Sequence, residues 1–141
     1  MKKVLKLSAI ICIFVAISCV FAGCASVDLQ KINEKLTTKE PDFIIAILPN
    51  ANDNSSLSLN MSSILSSQVP DYNTKGATSV LVGHDKYNLL RFVVVMIFED
   101  KDQAKQAKEY IEANLNNISI TKISGNTLYI ASTDNLMKII K

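Results

Sequence analysis

Residues 89–98, LLRFVVVMIF, carry one charged side chain in ten positions and are dense in β-branched and aromatic residues. That composition suits a pleated, well-packed backbone, and the run predicts a strand at the centre of a sheet. Residues 77–82, ATSVLV, form a second such run, and GHDK at 83–86 separates the two with residues that favour turns. The pair predicts a hairpin, and the chain is expected to be built around a sheet.

The rest of the chain supplies partners for it. FIIAIL at 43–48 is a continuous apolar run closed by Pro49, the length and composition of a buried strand. Residues 57–65 can be read two ways: Leu57, Met61, Ile64 and Leu65 fit a helix face, while LSLNM alternates like a strand. The helix is preferred. From Asp100 the period changes to that of a helix, with Ala104, Ala107, Ile111 and Leu115 as its apolar stripe and Asp100 or Asp102 as its cap. ISITKI and TLYIA, separated by Ser124-Gly125-Asn126, predict a second hairpin, and STDNLMKIIK a short closing helix. The resulting core order, β-α-β-β-α-β, is that of the ferredoxin-like split βαβ arrangement. The expectation is an α+β protein: an antiparallel sheet with helices packed on one face.

The N-terminus has a different character. MKKVLK is basic, residues 7–27 hold no charge, and 7–21 are almost wholly apolar. A basic leader, an apolar stretch and small residues form the pattern of a secretory signal. Three readings are open. A signal could be cut at a small-x-small site around Ala22, Gly23 and Ala25. Alternatively, 21 uncharged residues at about 1.5 Å each could cross a bilayer core of about 30 Å. The third reading takes account of the cysteine: Phe21-Ala22-Gly23-Cys24 resembles the lipobox of bacterial lipoproteins, in which a Leu-like residue, two small residues and a cysteine close the signal. Phe21 stands where Leu is usual.

The resemblance implies a signal peptide over 1–23 and a diacylglyceryl thioether on Cys24. A lipidated tether would follow over 24–40, able to form a helix with Leu29, Ile32 and Leu36 on one face, and a single α+β domain over 41–141. It further implies export, anchoring to the outer face of the cytoplasmic membrane or another envelope membrane, and room for a protein partner at the cell envelope. Cys12 and Cys19 would leave with the signal and Cys24 would carry lipid. The exported domain would then have no thiol for a disulfide, a metal site or a nucleophile, and its core alone would have to hold it. The formal charge of +2 would also change, because loss of Lys2, Lys3 and Lys6 leaves 12 basic against 13 acidic residues. Without a basic stripe, nucleic acid is not an expected partner.

Candidates for chemistry are sparse. His84 is the only histidine and neighbours Asp85, yet turns favour both residue types for local hydrogen bonding. Arg91, the only arginine, lies inside the strongest apolar run, so it needs a partner, a sheet edge, or a ligand carboxylate. Glu99 and Asp102, with Asp100, could divide acid and base work or bind a hard cation; equally, they complement the start of a helix. No glycine-rich phosphate loop and no G-x-S-x-G elbow occurs, and no cofactor is expected. The sequence favours a non-catalytic binding or envelope-assembly module. A tethered hydrolase built on His84 or the Glu99/Asp102 carboxylates, or a small-ligand sensor domain, are the alternatives.

Overall fold

The computed structural model describes residues 27–48, 76–114 and 119–141. The basic leader, the apolar run and the Phe21-Ala22-Gly23-Cys24 motif lie outside the described residues, as do the expected helix over 57–65 and Leu115. Helix α1 (Leu29–Lys39) leads into strand β1 (Phe43–Leu48). Strands β2 (Ala77–Asp85) and β3 (Phe92–Phe98) precede helix α2 (Lys101–Asn114), and β4 (Ile120–Ser124), β5 (Thr127–Ala131) and helix α3 (Asp134–Ile140) complete the chain.

The five strands form one sheet in the order β1-β2-β3-β5-β4, with every neighbouring pair antiparallel. β3 is the central strand, and its alternation serves two cores at once. Val93 and Val95 join Leu81, Tyr129 and Ala131 on one face, under Leu29, Ile32 and Leu36 of α1 and Leu136, Met137 and Ile140 of α3. Val94 and Met96 join Val80, Val82, Leu128 and Ile130 on the other, under Ala104 and Ile111 of α2.

Helices therefore cover both faces, and the expectation of a one-sided helical layer is corrected. The reason is the burial of β3, which is apolar at odd and even positions alike and needs cover above and below the sheet. The α+β class stands, but the strand order departs from the ferredoxin-like one. β1 pairs directly with β2, from Phe43 opposite Asp85 to Leu48 opposite Val80, leaving no gap for a returning strand. One split βαβ unit is present: β3 and β4 run parallel with β5 between them, joined through α2.

Local chemistry explains most of the boundaries. Asp28 caps α1, accepting from the Gln30 and Lys31 backbone N–H groups at 3.0 and 3.3 Å. Asp100 accepts from the N–H of Gln103 at 2.9 Å, and Thr133 from that of Leu136 at 3.3 Å. Gly125 turns the β4–β5 hairpin at φ 59°, a conformation that costs a residue with a Cβ. β1 is less buried than its composition suggested: among the described residues it is an edge strand, and Ile44 is 56% exposed.

Candidate functional site

The β2–β3 turn falls three residues later than the sequence predicts. His84 and Asp85 belong to β2, whereas Leu89 and Leu90 lie in the connection. Asx-type capping moves the turn. Asp85 Oδ1 accepts from the backbone N–H groups of Tyr87 and Asn88 at 2.8 and 3.2 Å, and Asn88 Oδ1 accepts from that of Leu90 at 3.1 Å. These bonds satisfy the turn backbone, so the two leucines need not extend β3.

Arg91 closes the base of this hairpin. Its Nη2 donates to Glu40 Oε1 at 2.7 Å and its Nη1 to Asp85 Oδ2 at 3.1 Å, while the guanidinium lies 5.4 Å from the centre of the Phe43 ring. Beside it Lys86 pairs with Asp42 at 2.6 Å, and the Lys86 N–H donates to the Asp42 carbonyl at 3.0 Å. The cluster ties the end of α1 and the start of β1 to the hairpin. The Tyr87 backbone N–H, followed by the Arg91 guanidinium and the Asn88 N–H, holds the Asp85 carboxyl below the usual aspartate range despite its partial burial. Glu40, and after it Asp85, raises the Arg91 guanidinium above its ordinary value, and Asp42 does the same for the Lys86 ammonium.

Arg91 thus has both terminal nitrogens committed inside the chain. The carboxylates that the sequence could only imply are Glu40 and Asp85. Asp85 adjoins the turn, but Glu40 lies 51 residues away, and only the β1–β2 register brings it close. An arginine in an apolar run was the one signal of a charge partner.

The other candidates do not converge. His84 is half-buried in β2 between Ile44 of β1 and Phe92 of β3, and its Nδ1 lies 3.2 Å from the Asp85 carbonyl oxygen. Glu99, Asp100 and Asp102 are exposed at the far end of β3, about 20 Å away at roughly 3.3 Å per strand residue. The Asp100 carboxylate is engaged in capping α2. Among the described residues no three histidine, cysteine, aspartate or glutamate side chains are grouped to hold a metal ion, and no helix is long and apolar enough to cross a membrane.

The feature that sequence reasoning missed is the tip of the hairpin. Tyr87 is 80% exposed, Leu89 55% and Leu90 61%, three large apolar side chains within four residues. Read as strand, the leucines appeared to be core; only the displaced turn brings them to the surface. Comparison of the chain with protein-family models, with curated proteins and with solved structures returned no match.

Proposed function

We propose that the chain is an exported bacterial lipoprotein, anchored to an envelope membrane through a diacylglyceryl group on Cys24, and that its α+β domain is a non-catalytic binding or assembly module. The observation that carries this reading is the order of the N-terminal residues: Lys2, Lys3 and Lys6, then an uncharged apolar run, then Phe21-Ala22-Gly23-Cys24. Thioether formation uses up the sulfur, and two acyl chains suffice to hold a protein stably on a bilayer. The non-catalytic half of the reading is supported by how the candidate groups are used. Arg91 is committed to Glu40 and Asp85, His84 lies within the sheet, and Glu99 and Asp102 stand at the opposite end of β3.

Intact-mass analysis of the protein extracted from membranes tests the anchor. The expected mass is that of residues 24–141 plus a diacylglyceryl group, and Cys24→Ala should accumulate as an uncleaved, unlipidated precursor. An unmodified Cys24, or a mature N-terminus elsewhere, overturns the reading.

A further inference from the structure

Two exposed features of the described residues are not used by the fold. One is the apolar hairpin tip. The other is a row of lysines on α1: Lys31, Lys35 and Lys39 follow one another at i, i+4 and i+8 on its exposed face. Among the described residues none of the three has a carboxylate partner within 4 Å. Glu34 lies among them on the same surface without pairing to any of the three, so the row keeps a net positive charge that an opposite charge from outside would complement.

The two features are joined at one end of α1. Glu40, immediately after the helix, holds Arg91 at the hairpin base, and Asp42 holds Lys86 on the hairpin itself. Within its bounds α1 carries three lysines against one carboxylate, Glu34, whereas α2 on the other face of the sheet carries three against three, Asp102, Glu109 and Glu112. The helix that follows Cys24 is therefore the more basic of the two.

We propose that α1 and the β2–β3 tip together dock on an anionic lipid bilayer. The lysine row lies along the headgroups, and Tyr87, Leu89 and Leu90 dip into the boundary with the acyl chains. The inference rests on the anchoring reading, which places lipid on Cys24, four residues before the α1 cap. Four extended residues reach about 14 Å, and eleven helical residues span about 16 Å. The row would begin within that reach of the anchor, and its far end, Lys39, adjoins Glu40, which holds the base of the hairpin that carries the tip. Tyrosine and leucine beside lysine is a composition suited to the bilayer boundary. Beside the tip, the Lys86 ammonium lies 4.6 Å from the centre of the Tyr87 ring and stays paired with Asp42.

The chain contains no tryptophan, so Tyr87→Trp places a single indole at the tip. The full chain carrying this substitution is isolated from membranes, its Cys24 mass determined, and the protein reconstituted in vesicles of phosphatidylcholine alone or mixed with phosphatidylglycerol. The expected result is a blue-shifted emission, quenched by lipids brominated on their acyl chains, in the anionic vesicles. Leu89→Asp with Leu90→Asp should abolish the quenching. Each of Lys31→Glu, Lys35→Glu and Lys39→Glu should lower the ratio of docked to undocked protein by roughly fivefold or more. An indole that stays water-exposed and unquenched in both vesicles, on a chain lipidated at Cys24, overturns the docking and leaves the anchor standing. If Cys24 is unmodified the anchoring reading falls, and the same quenching on added vesicles still decides the docking in either direction. A blue shift without quenching by brominated lipid assigns the tip to a second copy of the chain or another protein, and overturns the proposal.

Discussion

The guanidinium of Arg91 joins Glu40 at 2.7 Å, linking the end of α1 to the base of a hairpin 51 residues away, and its second nitrogen holds Asp85 from within that hairpin. The site is only partly shielded, with the arginine side chain 34% exposed, so the gain is smaller than for a dry ion pair. Arg91→Met is expected to cost about 1–2 kcal/mol in urea unfolding, because two oriented carboxylates lose their donor. Arg91→Lys should recover less than half of that, since one ammonium on a flexible stem cannot fork between both acids. Full recovery by lysine would show that charge alone, and not the fork, joins the two segments.

Asp85 gives the fold an acid-sensitive point. Its carboxyl accepts the Tyr87 and Asn88 backbone N–H groups and faces Arg91, so it releases its proton more readily in the folded chain than in the unfolded one. A depressed folded value means that the stabilisation is complete above the ordinary aspartate value of 3.8 and is lost as pH falls through the lower folded value. Glu112 contributes in the same sense through the Thr121 hydroxyl and then Lys108. Stability against urea should therefore decline below about pH 4. In Asp85→Asn that decline should be shallower and stability at neutral pH lower; an unchanged acid limb would remove Asp85 from the account.

Gly83 is a contact position in the sheet. A Cβ built there would stand 3.2 Å from Phe43 Cδ1, 3.2 Å from Val93 Cγ2 and 3.4 Å from Ile45 Cγ1. Its backbone is ordinary, so the constraint is space. Gly83→Ala should cost about 1 kcal/mol and Gly83→Val about 2–3 kcal/mol by overpacking the face that α1 covers. Thermal unfolding of both variants checks the order; equal stability of alanine and glycine would mean that the Phe43 ring moves aside freely.

Much of this architecture could be read from local pattern. The Val-rich run marks β3, the Ala104–Ile111 stripe marks α2, and Asp28, Asp100 and Thr133 mark helix starts because their side chains cap amides within three residues. What was not legible depends on pairing between distant segments. FIIAIL has the same composition whether it lies at a sheet centre or edge, and the direct β1–β2 pairing determines which. Cover on both faces, by contrast, was legible in principle, because β3 is apolar at odd and even positions alike. Leu89 and Leu90 misled because their apolarity continues into β3. The competing signal was the oxygen pair of Asp85 and Asn88, which satisfies the turn backbone and leaves the leucines outside. The partners of Arg91 were hidden for the same reason as the edge: register, not residue type, puts Glu40 beside it.

Thr127 offers a test of how tightly the β4–β5 hairpin is specified. It is fully buried where β5 begins, opposite Ile97 of β3 and Ser124 of β4, and its hydroxyl finds no hydrogen-bond partner among the described residues. A buried hydroxyl without a partner has lost its water and gained nothing in return, at a cost of about 1–3 kcal/mol. Valine has nearly the same shape and a comparable preference for strands, so Thr127→Val removes the polar atom with little change in packing. The variant should be more stable than the parent by about 1 kcal/mol, read as a higher midpoint in urea with an unchanged slope. A loss of similar size would mean that the hydroxyl is satisfied in solution, by water or by a shift of a neighbouring carbonyl. Thr127→Ser keeps the hydroxyl and deletes a buried methyl, so it should destabilise by about 1 kcal/mol. Together the two substitutions separate the effect of the oxygen from that of the packing around it.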